Sequence, residues 1–347
     1  MDKKKLITSL VFIIIVGAVI ISLTVSKKSY AVGTTLVDTV KALNKGSSWS
    51  AGASGVYYTN SHEYRYIGAE VNNYVKFNND LYRIIGVFDS NSHGVTGTEL
   101  VKLIRARSLG GYSWGVYNTD NSAGTYSGYA NDWTGKSKTS KANLNVLLNE
   151  YFYNKTDTSS TYGDCANWTY YYSNNSYKTK DCSDIITYGI DSSLRGYIET
   201  TTWYLYGSGT AQSKQNWYLC ERGGNSCTPS GPSTGDTSVT SKIGLMYLSD
   251  YLYASGYYAS TDTSTSTDTQ YLFGNKNWLY KGYEWTMTPY ASDPTKVWFV
   301  NYGNVTTILS HTPGGSRPTF YLKSSVYVTG GNGSFDNPYT LGCDNCS

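Results

Sequence analysis

Tyr74-Val75-Lys76-Phe77-Asn78-Asn79-Asp80-Leu81-Tyr82-Arg83-Ile84-Ile85-Gly86-Val87-Phe88 is the stretch that decides the fold of this 347-residue chain. Tyr74 to Phe77 alternates outward and inward residues, Asn78-Asn79-Asp80 carries turn chemistry, and Leu81 to Phe88 returns as a second β-type run. A polar loop (Asp89 to Thr98) precedes a third run, Leu100-Val101-Lys102-Leu103-Ile104-Arg105. Three such runs separated by turns predict an antiparallel meander with a buried face. The residues downstream are poorer in aliphatics and richer in Tyr, Ser, Thr, Asn and Gly, and are expected to wrap around that sheet. The fold class expected is α+β, mainly β: an antiparallel core with two or three short helices and long disulfide-stapled loops.

The first thirty residues bear on where the chain works. Met1-Asp2-Lys3-Lys4-Lys5 is basic, and Leu6 to Val25 follows without a charge. Twenty residues at about 1.5 Å each span roughly the 30 Å of a bilayer's hydrocarbon core. Ser29-Tyr30-Ala31 is a small-x-small cleavage pattern. Residues 1–31 therefore read as a signal peptide cleaved near Ala31 or as an uncleaved signal-anchor helix in the membrane. Either reading puts residues 32–347 outside, with the lysines inside. The segment 32–56, small and polar, reads as a stalk or linker, 57–342 as one β-rich extracellular domain, and 343–347 as a Cys-x-x-Cys tail.

Six cysteines, Cys165, Cys182, Cys220, Cys227, Cys343 and Cys346, all follow the leader. An even number in an oxidising place predicts disulfides, paired between neighbours as Cys165–Cys182, Cys220–Cys227 and Cys343–Cys346 among fifteen possible pairings. A zinc site at Cys343-x-x-Cys346 is the rival, but no second pair with finger spacing accompanies it. The formal charge of +3 belongs to the leader, and the remainder lies near −1. No basic tract follows, so nucleic acid is not an expected partner. Tyr (36) outnumbers Leu (23), and only 15% of residues are charged, which suits a surface solubilised by hydroxyls and amides.

Lys141 to Tyr153 is the clearest helix, with Leu144, Leu147, Leu148, Tyr151 and Phe152 on one stripe and Ser140 as N-cap. A short helix is predicted from Ser193 to about Thr200, giving way to a strand. Lys242 to Leu248 reads as a strand, followed by a short helix that Ser249 caps. Tyr283–Pro289, Val297–Val300, Asn304–Leu309, Arg317–Lys323 and Val326–Val328 complete the strands.

The ordered set Val75-Lys76-Phe77-Asn78-Asn79, Tyr82-Arg83-Ile84-Ile85-Gly86-Val87-Phe88, Lys242-Ile243-Gly244-Leu245-Met246, Trp285-Thr286-x-Thr288-Pro289, Arg317-Pro318-x-x-Tyr321-Leu322-Lys323 and Asp336-Asn337-Pro338-Tyr339 resembles a family of exported cell-envelope proteins from Gram-positive gut bacteria. The likeness spans nearly all of Tyr57 to Leu341 and implies an envelope protein without an established activity. More distantly, a late Trp strand, a Gly hairpin and an Arg-Pro strand resemble the end of C-type-lectin-like domains of the formylglycine-generating type, which transfers no catalytic residue.

Of the three histidines, His62, His93 and His311, each reads as a solvated loop residue. No nucleophile elbow, zincin or phosphate-loop motif occurs, and nothing asks for a cofactor or a metal. Asp262 and Asp268 lack the order of a calcium loop. Arg317 inside an apolar run reads as half of a buried ion pair, with Glu284 a candidate partner. The aromatic residues Trp133, Trp168, Tyr170, Tyr171, Tyr172 and Trp217 lie in polar surroundings, where flat rings either stack on sugars and docked protein or pack beneath the disulfide loops. The expected function is an exported binding or interaction protein without catalysis, recognising a glycan or surface protein through these loops. The alternative is an exported glycan hydrolase using a carboxylate pair drawn from Asp132, Glu150, Asp184, Asp191, Glu199, Glu221, Asp250 or Glu284. A purely structural surface protein would need neither.

Overall fold

The computed structural model describes residues 33–59, 63–115, 131–134, 141–155, 170–173, 176–179, 183–224, 227–229, 236–261 and 276–346. Residues 1–32, Cys165, Trp168, Cys182, His62, Asp262 and Asp268 lie outside these residues. Among the described residues, no helix is long and apolar enough to cross a membrane.

The fold is mainly β. Its larger sheet has six strands: β1 (Gly55–Thr59), β2 (Glu63–Ile67), β3 (Tyr74–Phe77), β4 (Asp80–Phe88), β5 (Leu100–Arg105) and a late strand, Thr319–Leu322, which pairs with β5. The expected meander β3–β4–β5 is present and antiparallel. Asn78 and Asn79 both take positive φ (54° and 55°), the two-residue turn that asparagine tolerates best. One long edge of β4 serves two partners: its start pairs with β3 and its end with β2. Gly86 makes this possible, because a Cβ there would collide with the Tyr64 carbonyl oxygen of β2.

The second sheet has five strands and is antiparallel except at one contact. It comprises β6 (Gly111–Ser113), Tyr283–Pro289, Lys296–Asn301, Asn304–Leu309 and Pro313–Gly315, ordered with Asn304–Leu309 at one edge and β6 at the other. The parallel contact is Glu284 opposite Gly315. Tyr302 (φ 47°) and Gly303 (φ 85°) turn the hairpin between Lys296–Asn301 and Asn304–Leu309.

The larger sheet is covered on both faces, where the sequence pattern asked for one. Phe77, Tyr82 and Phe320 pack ring against ring on one face. Tyr321, Phe88 and Trp203 meet on the other, since neighbouring residues in a strand point oppositely. A single buried cluster runs from both sheets into the helix that begins at Asn143–Val146 and continues as π-type through Leu147–Phe152. Trp285, Phe299, Tyr112 and Trp114 belong to it, so large rings fill volume that Leu occupies elsewhere.

Three local expectations are corrected. The stalk is in part core: Leu36–Lys41 is a helix capped by Thr35, its Leu36 and Val40 fully buried, and the Leu36 N–H donates to the Val326 carbonyl. Lys242 to Leu248 is not a strand; it pairs with Thr319 only at Gly244 and leads into the helix Leu248–Tyr253, capped by Tyr247. The helix expected from Ser193 is a 3-10 turn over Ser192–Tyr197, followed by the predicted strand at Thr201–Tyr204.

Gly86→Ala is expected to cost about 1–3 kcal/mol by forcing β2 and β4 apart. Urea unfolding measures it, and an unchanged midpoint would show that the β2–β4 seam yields freely.

Candidate functional site

Charged residues inside β-strands are the first place to look for chemistry, because burying them is costly unless each is paired. Glu63 and Arg65 alternate with apolar residues on β2, so both point to one face. Lys102 sits inside the apolar run of β5, and Asp250 is the third residue of the helix Leu248–Tyr253. All four meet beneath the larger sheet. Arg65 donates from Nε and Nη2 to Glu63 Oε2 (3.0 and 2.8 Å) and from Nη1 to Asp250 Oδ1 (2.8 Å). Lys102 Nζ lies 2.6 Å from Asp250 Oδ2, which also accepts the Tyr247 N–H at 2.9 Å. None of these side chains exceeds 1% exposure. Rings close the cage: the Arg65 guanidinium lies 4.6 Å from Phe88 and 4.8 Å from Tyr253, and the Lys102 ammonium 4.5 Å from Tyr247.

Electrostatics follow from that geometry. Burial alone would raise the Asp250 carboxyl, but the Lys102 ammonium and the Arg65 guanidinium outweigh it and hold the carboxyl down at about 2. Burial pulls the Lys102 ammonium below its ordinary value despite Asp250. Beside them, Ser92 donates its hydroxyl to Glu63, and Arg222 Nη2 donates to the Ser92 oxygen at 3.0 Å. Glu221 accepts the Thr288 hydroxyl at 2.6 Å and the Ser249 N–H at 3.2 Å, and burial lifts its carboxyl above the usual range.

Of the eight carboxylates considered for glycoside hydrolysis, Glu221 and Asp250 are near neighbours and Glu284 is buried elsewhere. Glu221 and Asp250 are sealed from solvent, so no sugar ring fits between them. Glu284 pairs with Arg317 as the sequence suggested, Nη2 to Oε2 at 2.5 Å, and Arg317 Nη2 also donates to the Leu279 carbonyl. This pair stands where the chain leaves the second sheet at Gly315 and enters the first at Thr319.

His93 and His311 are buried, which corrects their reading as solvated residues. His93 is placed by the short helix Ser90–His93, capped by Asp89 and closed by Gly94 at φ 74°. Its Nδ1 accepts the Val95 N–H (3.2 Å), and so its Nε2–H donates to the Phe88 carbonyl (3.1 Å). A second proton would face the Val95 N–H, and burial accordingly lowers the ring to about 4.

Of the aromatic residues singled out for binding, Trp133 and Trp217 are interior and Trp168 lies outside the described residues. Trp133 is fully buried against Trp114 (centroids 5.0 Å apart), and Trp217 is 1% exposed against Trp298 (5.1 Å). Asn131, a polar neighbour of Trp133, is itself interior and donates to the Tyr290 and Lys296 carbonyls. Tyr170, Tyr171 and Tyr172 form a strand paired with Ser176–Thr179. Cys220–Cys227 and Cys343–Cys346 are disulfides as expected, with Cα atoms 5.1 and 5.6 Å apart.

An open groove of 570 Å³ does exist, in the segment taken for a linker. Lys45, Ser48, Trp49, Gly52 and Tyr57 line it. Trp49 and Tyr57 lie 5.5 Å apart and tilted by 48°, and Trp49 Nε1 is fixed on the Tyr258 carbonyl. A second hollow of 120 Å³ shares Gly52 and Ala53 and adds Gly256, Tyr257 and Lys276. Among the described residues, no carboxylate lines either. Trp49 within a Gly/Ser-rich stretch was the signal to follow, since a linker has no use for an indole. Among the described residues, no cluster of His, Cys, Asp and Glu could hold a metal ion. No family model, curated protein or solved structure matches the chain.

Removing one member of a buried pair leaves its partner charged in a dry site, so Glu284→Gln is expected to cost about 3–5 kcal/mol and Arg317→Met with Glu284→Leu much less. Equal losses in denaturant unfolding would contradict pairing. Acid should weaken the fold early. The unfolded His93 binds its proton near pH 6.5, the folded one only near 4, so stability falls as pH drops through that window. His93→Gln should flatten that limb of a pH–stability profile, and an unaltered slope would remove His93 from it.

Proposed function

We propose that the chain is an exported cell-envelope module that binds a carbohydrate ligand without catalysis, at the groove between Lys45 and Tyr57. The observation that carries this reading is the groove itself. Trp49 and Tyr57, each 9% exposed, line it together with Lys45, Ser48 and Ser50. Sugars pair with such surfaces through C–H faces on rings and hydroxyls on polar rims. The carboxylates Asp250 and Glu284 lie apart from it, each paired with a buried cation.

Export belongs to the same proposal. It rests on the basic start, the apolar run Leu6 to Val25 and two disulfides that suit an oxidising environment. The likeness to envelope proteins and to the end of C-type-lectin-like domains points the same way.

A glycan array probed with the purified protein tests it. Retention of a defined glycan class is expected, weakened about tenfold by Lys45→Ala or Trp49→Phe, a loss of about 1.4 kcal/mol. An empty array, or retention that both substitutions leave untouched, would overturn the assignment of the groove.

A further inference from the structure

We infer that Lys102 and Asp250 become joined by an intramolecular amide between side-chain amine and carboxyl, with loss of one water. The two groups come from β5 and from the helix Leu248–Tyr253, 148 residues apart, yet Nζ and Oδ2 stand 2.6 Å from each other. Both side chains are wholly shielded from solvent. Phe88, Trp203, Tyr247 and Tyr321 surround the amine, each ring centre within 5.4 Å of Nζ. Reactants so held meet at an effective concentration that free groups never reach.

The step balances within the pair. Although the neighbouring cations favour the carboxylate, a proton passes within the contact from the ammonium to Oδ2, and the freed lone pair attacks Cγ. Arg65, which donates to Oδ1 at 2.8 Å, faces the oxygen on which negative charge collects. The Cγ–Oδ2 bond then breaks, and Oδ2 leaves as water with two protons of the original ammonium. The third stays on the amide nitrogen, so one ammonium and one carboxylate become one amide and one water. Arg65 keeps its carbonyl acceptor and its double contact with Glu63.

The direction of the reaction follows from burial. In water, hydrolysis of an amide yields two well-solvated ions. Here it would recreate two charges where neither touches solvent, and it would need a water inside a ring-lined cage. Condensation removes both charges and ties the larger sheet to the helix beneath it.

Mass spectrometry on the full chain decides this. With the N-terminus read first and disulfides reduced, the intact mass is expected to be one water below that of the sequence. Digestion should release a branched peptide containing both Lys102 and Asp250, and Lys102→Arg and Asp250→Ala chains should keep their full sequence masses. The wild-type measurement stands even if these variants fold poorly. A wild-type chain at full mass would overturn the inference. A lighter chain whose Lys102 peptide is linear would do so as well, because the water was then lost elsewhere.

Discussion

A carboxylate out of reach of water must be neutralised where it lies, and Asp250 shows how much of this fold follows from that constraint. It accepts from Lys102 on β5, from Arg65 on β2 and from the N–H of Tyr247 that starts its own helix. Two strands and a helix are thereby fixed in mutual position by one side chain. Each buried ion costs several kcal/mol to desolvate, so any other arrangement of these elements would strand at least one charge. The Arg317–Glu284 pair applies the same constraint where the chain passes from the second sheet to the first.

Aromatic residues make these networks affordable in a chain with few aliphatics. A guanidinium or ammonium against ring faces keeps part of the attraction it loses with water. Arg65, Lys102 and Arg83 all lie over rings, Arg83 between Tyr74 (4.3 Å) and Trp278 (4.6 Å). The Tyr-rich composition that suggested a polar surface thus also builds the interior, where Tyr82, Tyr112, Tyr247, Tyr251 and Tyr321 are fully buried.

The meander was legible because turn chemistry and alternation agreed at the same residues, Asn78 and Asn79 above all. Arg317 was legible because a cation in an apolar run demands a buried counter-charge. The same reasoning applies to Lys102 between Val101 and Leu103, and to Arg65, and would have led to the charge network. Trp133 and Trp217 follow the packing alternative of their two readings, whereas His93 was misread because Ser and Asn neighbours normally mean solvent, and here Ser92 donates inward to Glu63. Gly- and Ser-rich sequence hid the helix Leu36–Lys41, although Leu36, Val37 and Val40 carry helical spacing. Which carboxylates share a site was not readable, since β2, β5 and the helix Leu248–Tyr253 meet through long-range pairing.

The charged residues under the larger sheet form a sealed structural core, while residues 45–55, Trp49 excepted, lie at the surface. Native-state hydrogen exchange read by peptide mass tests it most directly. Amides of Leu100–Arg105 and Leu248–Tyr253 should exchange only through global unfolding, with those of Lys45–Gly55 exchanging through local opening. Exchange of the Lys102 and Asp250 segments as fast as the groove segment would contradict the account.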